Sequence, residues 1–172
     1  HGLRIEDGGT ATLGLIYMIS GLGTGLGPIF MRRWLGDRKQ RILLGISIGF
    51  VFLFTGILLL ASAMSLPSYL AGTLVRTVGS GTVWVFSAAL LQMLVPDRFR
   101  GRVFAFEFAA LTLTQSISTF FAGYGQDIWG LRQTTAVLGF LGLGVTLVWM
   151  VLYRRLRPFV AESSPPLPQT LD

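Results

Sequence analysis

Arg76 is the most costly side chain in this sequence. It stands within an otherwise apolar run, residues 67–95, about 13 Å from its start at ~1.5 Å per residue, a depth at which a guanidinium costs ~2.5 to 3.5 kcal/mol in hydrocarbon. A cation held there needs an anionic ligand, a water-filled cavity or a structural ion pair. Glu107 is the matching anion in the next run, roughly 7.5 Å beyond Arg102, where a gate or interfacial ion pair is a better reading than a proton relay. Trp84 and Gln92 share roughly one face of the run that holds Arg76, and Trp84 could stack on a ligand or simply pack. Thr112, Gln115 and Thr119 fall at i, i+3 and i+7, so one helix face carries them all, as a cavity lining or an interhelical hydrogen-bond seam.

Covalent chemistry has little to work with. Gly79-Ser80-Gly81 and Ile19-Ser20-Gly21 invite comparison with an intramembrane serine nucleophile, which needs a general base within hydrogen-bond reach. The only His is His1, and there is no Cys. No glycine-rich phosphate loop ending in Lys and Ser or Thr occurs, so nothing supports nucleotide-driven work. Neither a cofactor nor a metal site is expected.

The elements that must position these residues are long and apolar. Charged residues make up 13% of the chain and hydrophobic ones 52%, against a charged share of ~25% in soluble domains, and mean hydropathy is +0.65. A helix of about 20 apolar residues crosses the hydrocarbon core, because lipid satisfies no bare backbone amide. Five stretches qualify: residues 11–31, 42–66, 67–95, 103–126 and 133–153. The fold expected is all-α and membrane-embedded.

The net charge of +6 sits at the ends of these stretches, which speaks for topology rather than nucleic-acid binding. Arg32, Arg33, Arg38, Lys39 and Arg41 follow the first stretch. Arg98, Arg100 and Arg102 follow the third, and Arg154, Arg155 and Arg157 the fifth. The opposite side holds only Arg4 and Arg132. Basic residues in short loops mark the cytoplasmic side, so residues 1–10 are expected outside and the C-terminus inside. Residues 158–172, with Pro158, Pro165, Pro166 and Pro168 among polar residues, are expected to be a disordered cytoplasmic tail. Gly21, Gly23, Gly25 and Gly27, then Gly45 with Gly49, and Gly139 with Gly142 and Gly144, have the small-residue spacing that lets helices approach closely. Pro28 is expected to bend the first helix.

Two motifs carry a family resemblance. Trp34-Leu35-Gly36-Asp37-Arg38-Lys39-Gln40-Arg41 resembles the cytoplasmic loop signature of the major facilitator superfamily, matching at Leu35, Gly36, Asp37, Arg38 and Arg41. Leu91-Gln92-Met93-Leu94-Val95-Pro96-Asp97-Arg98-Phe99-Arg100-Gly101-Arg102-Val103 is similar to the segment between helices ten and eleven of efflux-type members related to the enterobactin exporter. The resemblance implies a partial C-terminal half of a twelve-helix fold, helices eight to twelve, with residues 11–157 as its five-helix part. The N-terminal half would then be a missing partner, and the fragment alone should transport nothing. It further implies a cytoplasmic gate built from Asp37, Arg38, Arg41, Arg100 and Arg102, and a cavity wall on the helix holding Arg76. The activity implied is ion-gradient-driven efflux of small amphipathic molecules, drugs or siderophores from the bacterial cytoplasmic membrane. A non-transporting scaffold or an inactive transporter half is the competing reading.

Overall fold

The computed structural model describes residues 5–36 and 38–162. Five helices follow one another: α1 (Ile5–Leu35), α2 (Lys39–Ser62), α3 (Leu66–Leu94), α4 (Asp97–Trp129) and α5 (Leu131–Glu162). All five are long and apolar enough to cross a membrane. The expected all-α membrane fold is what forms, with no strand among the described residues.

The helices outrun their apolar stretches at several ends. Residues 5–10, expected as an external loop, already belong to α1, and α5 continues through Pro158 to Glu162, where a disordered tail was expected to begin. Residues 163–172 of that tail lie outside the described residues. α4 begins at Asp97, so Arg98, Arg100 and Arg102 occupy its first turns rather than a loop. The reason is common to these ends: a helix satisfies its own backbone in water as well as in lipid, so hydropathy locates the buried part and not the caps.

Local chemistry sets the connectors. Gly36, at φ +76°, closes α1 in the left-handed conformation that glycine adopts without cost, and its N–H donates to the Arg32 carbonyl at 2.7 Å. At the start of α3, Ser65 and Ser68 cap each other reciprocally: the Ser65 N–H donates to Ser68 Oγ at 3.1 Å, and the Ser68 N–H to Ser65 Oγ at 3.5 Å. Pro67 sits in the first turn, where its missing N–H costs nothing. Pro96 precedes α4, and Gly130, at φ +80°, separates α4 from α5.

The centre of the bundle is the α2–α3 seam, with α1 laid against α3 and α5 against α2. Ile42, Leu43, Ile46, Phe86 and Leu90 form its buried apolar cluster, and Trp149 and Tyr153 of α5 pack against it. The Trp149 indole N–H donates to Ser47 Oγ at 2.9 Å, and Arg132 Nε to the Ala61 carbonyl at 2.9 Å, fastening α5 to α2 at two levels. The small residues divide by face. Gly23 and Gly27 meet Thr77 and Val78 of α3, whereas Gly21 and Gly25 have open space around them. α4 stands apart: it packs along α5, and Gly125 is its only buried residue.

Candidate functional site

α3 and α4 leave their connector with few direct contacts, and side chains of both, Trp84 and Glu107 among them, line the gap between them. Trp84 and Ala88 lie one turn apart on α3; Phe104, Glu107, Phe108 and Leu111 fall at i, i+3, i+4 and i+7 on α4, which is one helix face. These six side chains line a cavity of about 330 Å³. Glu107 is the one ionisable group among them. It makes no hydrogen bond or ion pair with any described residue.

Arg100 ties the end of α3 to the start of α4. Its Nη2 pairs with the Asp97 carboxylate at 2.7 Å and donates to the Gln92 carbonyl at 3.2 Å, so one guanidinium closes the end of α3 onto the start of α4. A cation is stabilised at a helix C-terminus and a carboxylate at an N-terminus, and both conditions are met here. Arg98 lies over the Phe99 ring at 4.6 Å, and Arg102 is exposed.

The other expected site residues fall elsewhere. Arg76 is half-buried, with its backbone set against Gly56 of α2. It lies on the α2 side of α3, does not join Trp84 and Glu107, and forms no ion pair among the described residues. Gln92 is exposed and contributes its carbonyl, not its amide. Gln115 is exposed too, and the stripe around it forms no interhelical seam among the described residues: Thr112 Oγ1 donates to the Phe108 carbonyl at 2.8 Å, within its own helix. The helix offers those acceptors one turn away, so a threonine spacing alone does not imply a partner helix. Arg38 is exposed at the start of α2 without a side-chain cap bond. Arg41 reaches back instead, its Nη1 donating to the Leu35 carbonyl at 3.0 Å and capping α1. Asp37 lies outside the described residues.

Phe104 and Phe108 are among the members of the site that the sequence reading passed over. Their spacing around Glu107 is the signal that could have found them. Ser80 Oγ donates to the Thr77 carbonyl at 3.2 Å, so its hydroxyl is engaged within the helix. Among the described residues no three His, Cys, Asp or Glu side chains gather into a metal-binding set. The chemistry available to the cavity is recognition: one carboxylate, three aromatic rings and an aliphatic floor.

The sequence profile of the Major Facilitator Superfamily matches residues 6–169, nearly the whole chain. The chain belongs to that superfamily. The hexose transporter HXT8 of Saccharomyces cerevisiae (strain ATCC 204508 / S288c) is 28% identical over 153 residues, which cover 87% of this chain and 25% of the yeast protein. The chain thus spans about a quarter of that relative's length. No solved structure is significantly similar to it. For a superfamily chain, the α1–α3 groove of about 480 Å³, walled by Leu22, Leu26, Phe30 and Val78 among others, is the contrasting surface, because it carries no ionisable side chain.

Proposed function

We propose that these five helices are helices eight to twelve of a twelve-helix secondary transporter, which moves small amphipathic molecules outward by rocking two halves around a central cavity. The observation that carries this reading is the Glu107 cavity: an uncompensated carboxylate at membrane depth, ringed by Trp84, Phe104 and Phe108. Intramembrane ionisable residues are expensive and mark ligand or ion pathways far more often than they serve stability. The Arg100 clamp adds to it, since a transporter that rocks needs its α3–α4 corner to move as one body.

The yeast relative is a hexose transporter by name. The cavity here argues for a different cargo, because a sugar ring demands many hydrogen-bonding partners and this wall is mostly apolar. The likeness of residues 91–103 to efflux-type members points the same way. We assign the protein to the bacterial cytoplasmic membrane, with the arginine-rich ends of the helices inside, following the placement of basic residues in short loops. The energy source is an ion gradient. The Asp37 loop, with Arg38 and Arg41, forms the gate toward the half of the transporter that precedes this chain.

Dye accumulation tests this reading. In cells stripped of other pumps, expressing the intact transporter that carries this chain should lower accumulation of an amphipathic dye several-fold, and Asp37→Asn should return it toward the control. Accumulation unchanged by the intact transporter would refute efflux.

A further inference from the structure

Where α2 ends and α5 begins, Arg132 is held by one edge only. Its Nε donates to the Ala61 carbonyl at 2.9 Å, one of those that the last turn of a helix leaves without an internal partner, and a helix C-terminus favours a cation. That bond fixes the guanidinium, while Nη1 and Nη2 make no hydrogen bond or ion pair with any described residue. The side chain stands between two cavities that both include Ala61. One, of about 570 Å³, is walled by Leu58, Ser62, Gln133, Ala136 and Phe140; the other, of about 370 Å³, by Leu60, Ala63, Tyr69, Leu131 and Thr135. Among the described residues no acidic side chain lines either cavity. Asp127, at the same end of α4, forms no ion pair with a described residue.

Depth and polarity say what fits there. The apolar span of α2 ends at Ser62 and that of α5 begins at Leu131, so Arg132 lies at a bilayer boundary, the level of lipid phosphates. Leu58, Ala136 and Phe140 lie one to two helical turns deeper, toward the hydrocarbon. We infer that this corner binds an anionic phospholipid, with its phosphodiester on the free fork of Arg132, its headgroup beside Ser62 and Gln133, and an acyl chain along Leu58, Ala136 and Phe140. A guanidinium matches a phosphate through two parallel N–H donors, and the Nη pair is the part of Arg132 left for that. A zwitterionic lipid offers the same phosphate but carries its own ammonium beside it, so net negative charge decides the preference. A wall that is polar at the boundary and apolar beneath it follows the order of a lipid, which a free anion lacks.

Quenching by brominated lipid tests this at the site itself. Ala136→Cys, on the cavity wall, is labelled with bimane in the intact transporter, with any cysteine outside this chain replaced, in phosphatidylcholine bilayers. A minor share of the lipid is then exchanged for brominated phosphatidylglycerol or brominated phosphatidylcholine. The phosphatidylglycerol is expected to quench with at least about threefold higher relative affinity, as one cation beside anionic lipid gives. Arg132→Gln should remove that preference, and Arg132→Lys, which keeps the charge without the fork, should keep part of it. A bimane at Ile128→Cys, exposed in the last turn of α4 and lining neither cavity, should show none. Equal quenching by the two lipids at Ala136→Cys, an undiminished preference in Arg132→Gln, or the same preference at Ile128→Cys would overturn the inference. Millimolar inorganic phosphate should leave the preference intact; its loss would assign the fork to free phosphate and overturn lipid binding. Should Arg132→Gln fail to fold, Arg132→Lys decides: a reduced preference supports the inference and an undiminished one overturns it. Dye export is a separate readout, so a protein that exports nothing but keeps the lipid preference refutes the transporter reading alone.

Discussion

Arg76 and Glu107 are both ions within apolar helices, yet the fold treats them differently. Glu107 faces a cavity with room for a counter-ion, whereas Arg76 is half-buried beside Gly56 with no ion pair among the described residues. An unpaired guanidinium at that depth carries part of the ~2.5 to 3.5 kcal/mol that insertion scales charge. Arg76→Met keeps the length and removes the charge, so it is expected to raise the thermal unfolding midpoint of the purified transporter, by an amount corresponding to about 1 to 2 kcal/mol. A fall in the midpoint would mean that Arg76 has an anionic partner outside this chain. The pairing of Trp84 with Glu107 was half legible: each residue stood out by type, but hydropathy treats Phe104 and Phe108 as lipid-facing aromatics like any others. Helical spacing places them on the Glu107 face, and only the α3 side chains across the gap, Trp84 and Ala88, make that face a cavity wall.

Among the helices, α2 and α3 approach so closely that small residues become obligatory. A Cβ on Gly79 would collide with the backbone of Leu53 and lie 2.6 Å from the Gly49 carbonyl oxygen. Backbone cannot step aside as a flexible side chain can, so Gly79→Ala should cost about 1 to 3 kcal/mol by overpacking. Gly21→Ala, with nothing within 4 Å, should be close to neutral in the same denaturation measurement. Equal effects at both positions would contradict this packing. All five spans were legible from apolar length, because a bilayer thickness is a strong constraint. Their ends were not: the first turns of α4 hold Arg98, Arg100 and Arg102, and polar helix ends look like loop when only hydropathy is read. Glycine spacing predicted close packing but not its sides, since Gly23 and Gly27 are covered while Gly21 and Gly25 are open.

At the scale of the whole molecule, the bundle has a tight side and a loose side. α1, α2, α3 and α5 share packed seams, while α4 lies along α5 with nearly all its length exposed. An apolar helix so exposed is stable beside lipid or beside further helices, and α4 is the element that carries Glu107. The superfamily match spans residues 6–169, and the chain covers a quarter of the yeast relative. In the proposed transporter the α3–α4 cavity belongs to a solute pathway that water reaches within the membrane. The chain has no native Cys, so any introduced thiol is a unique reporter. Ala88→Cys, on the cavity wall, should react with a membrane-impermeant charged thiol reagent, whereas Phe120→Cys, exposed on α4 but lining no part of that cavity, should stay unlabelled. Ala88→Cys reacting no faster than Phe120→Cys would contradict the account.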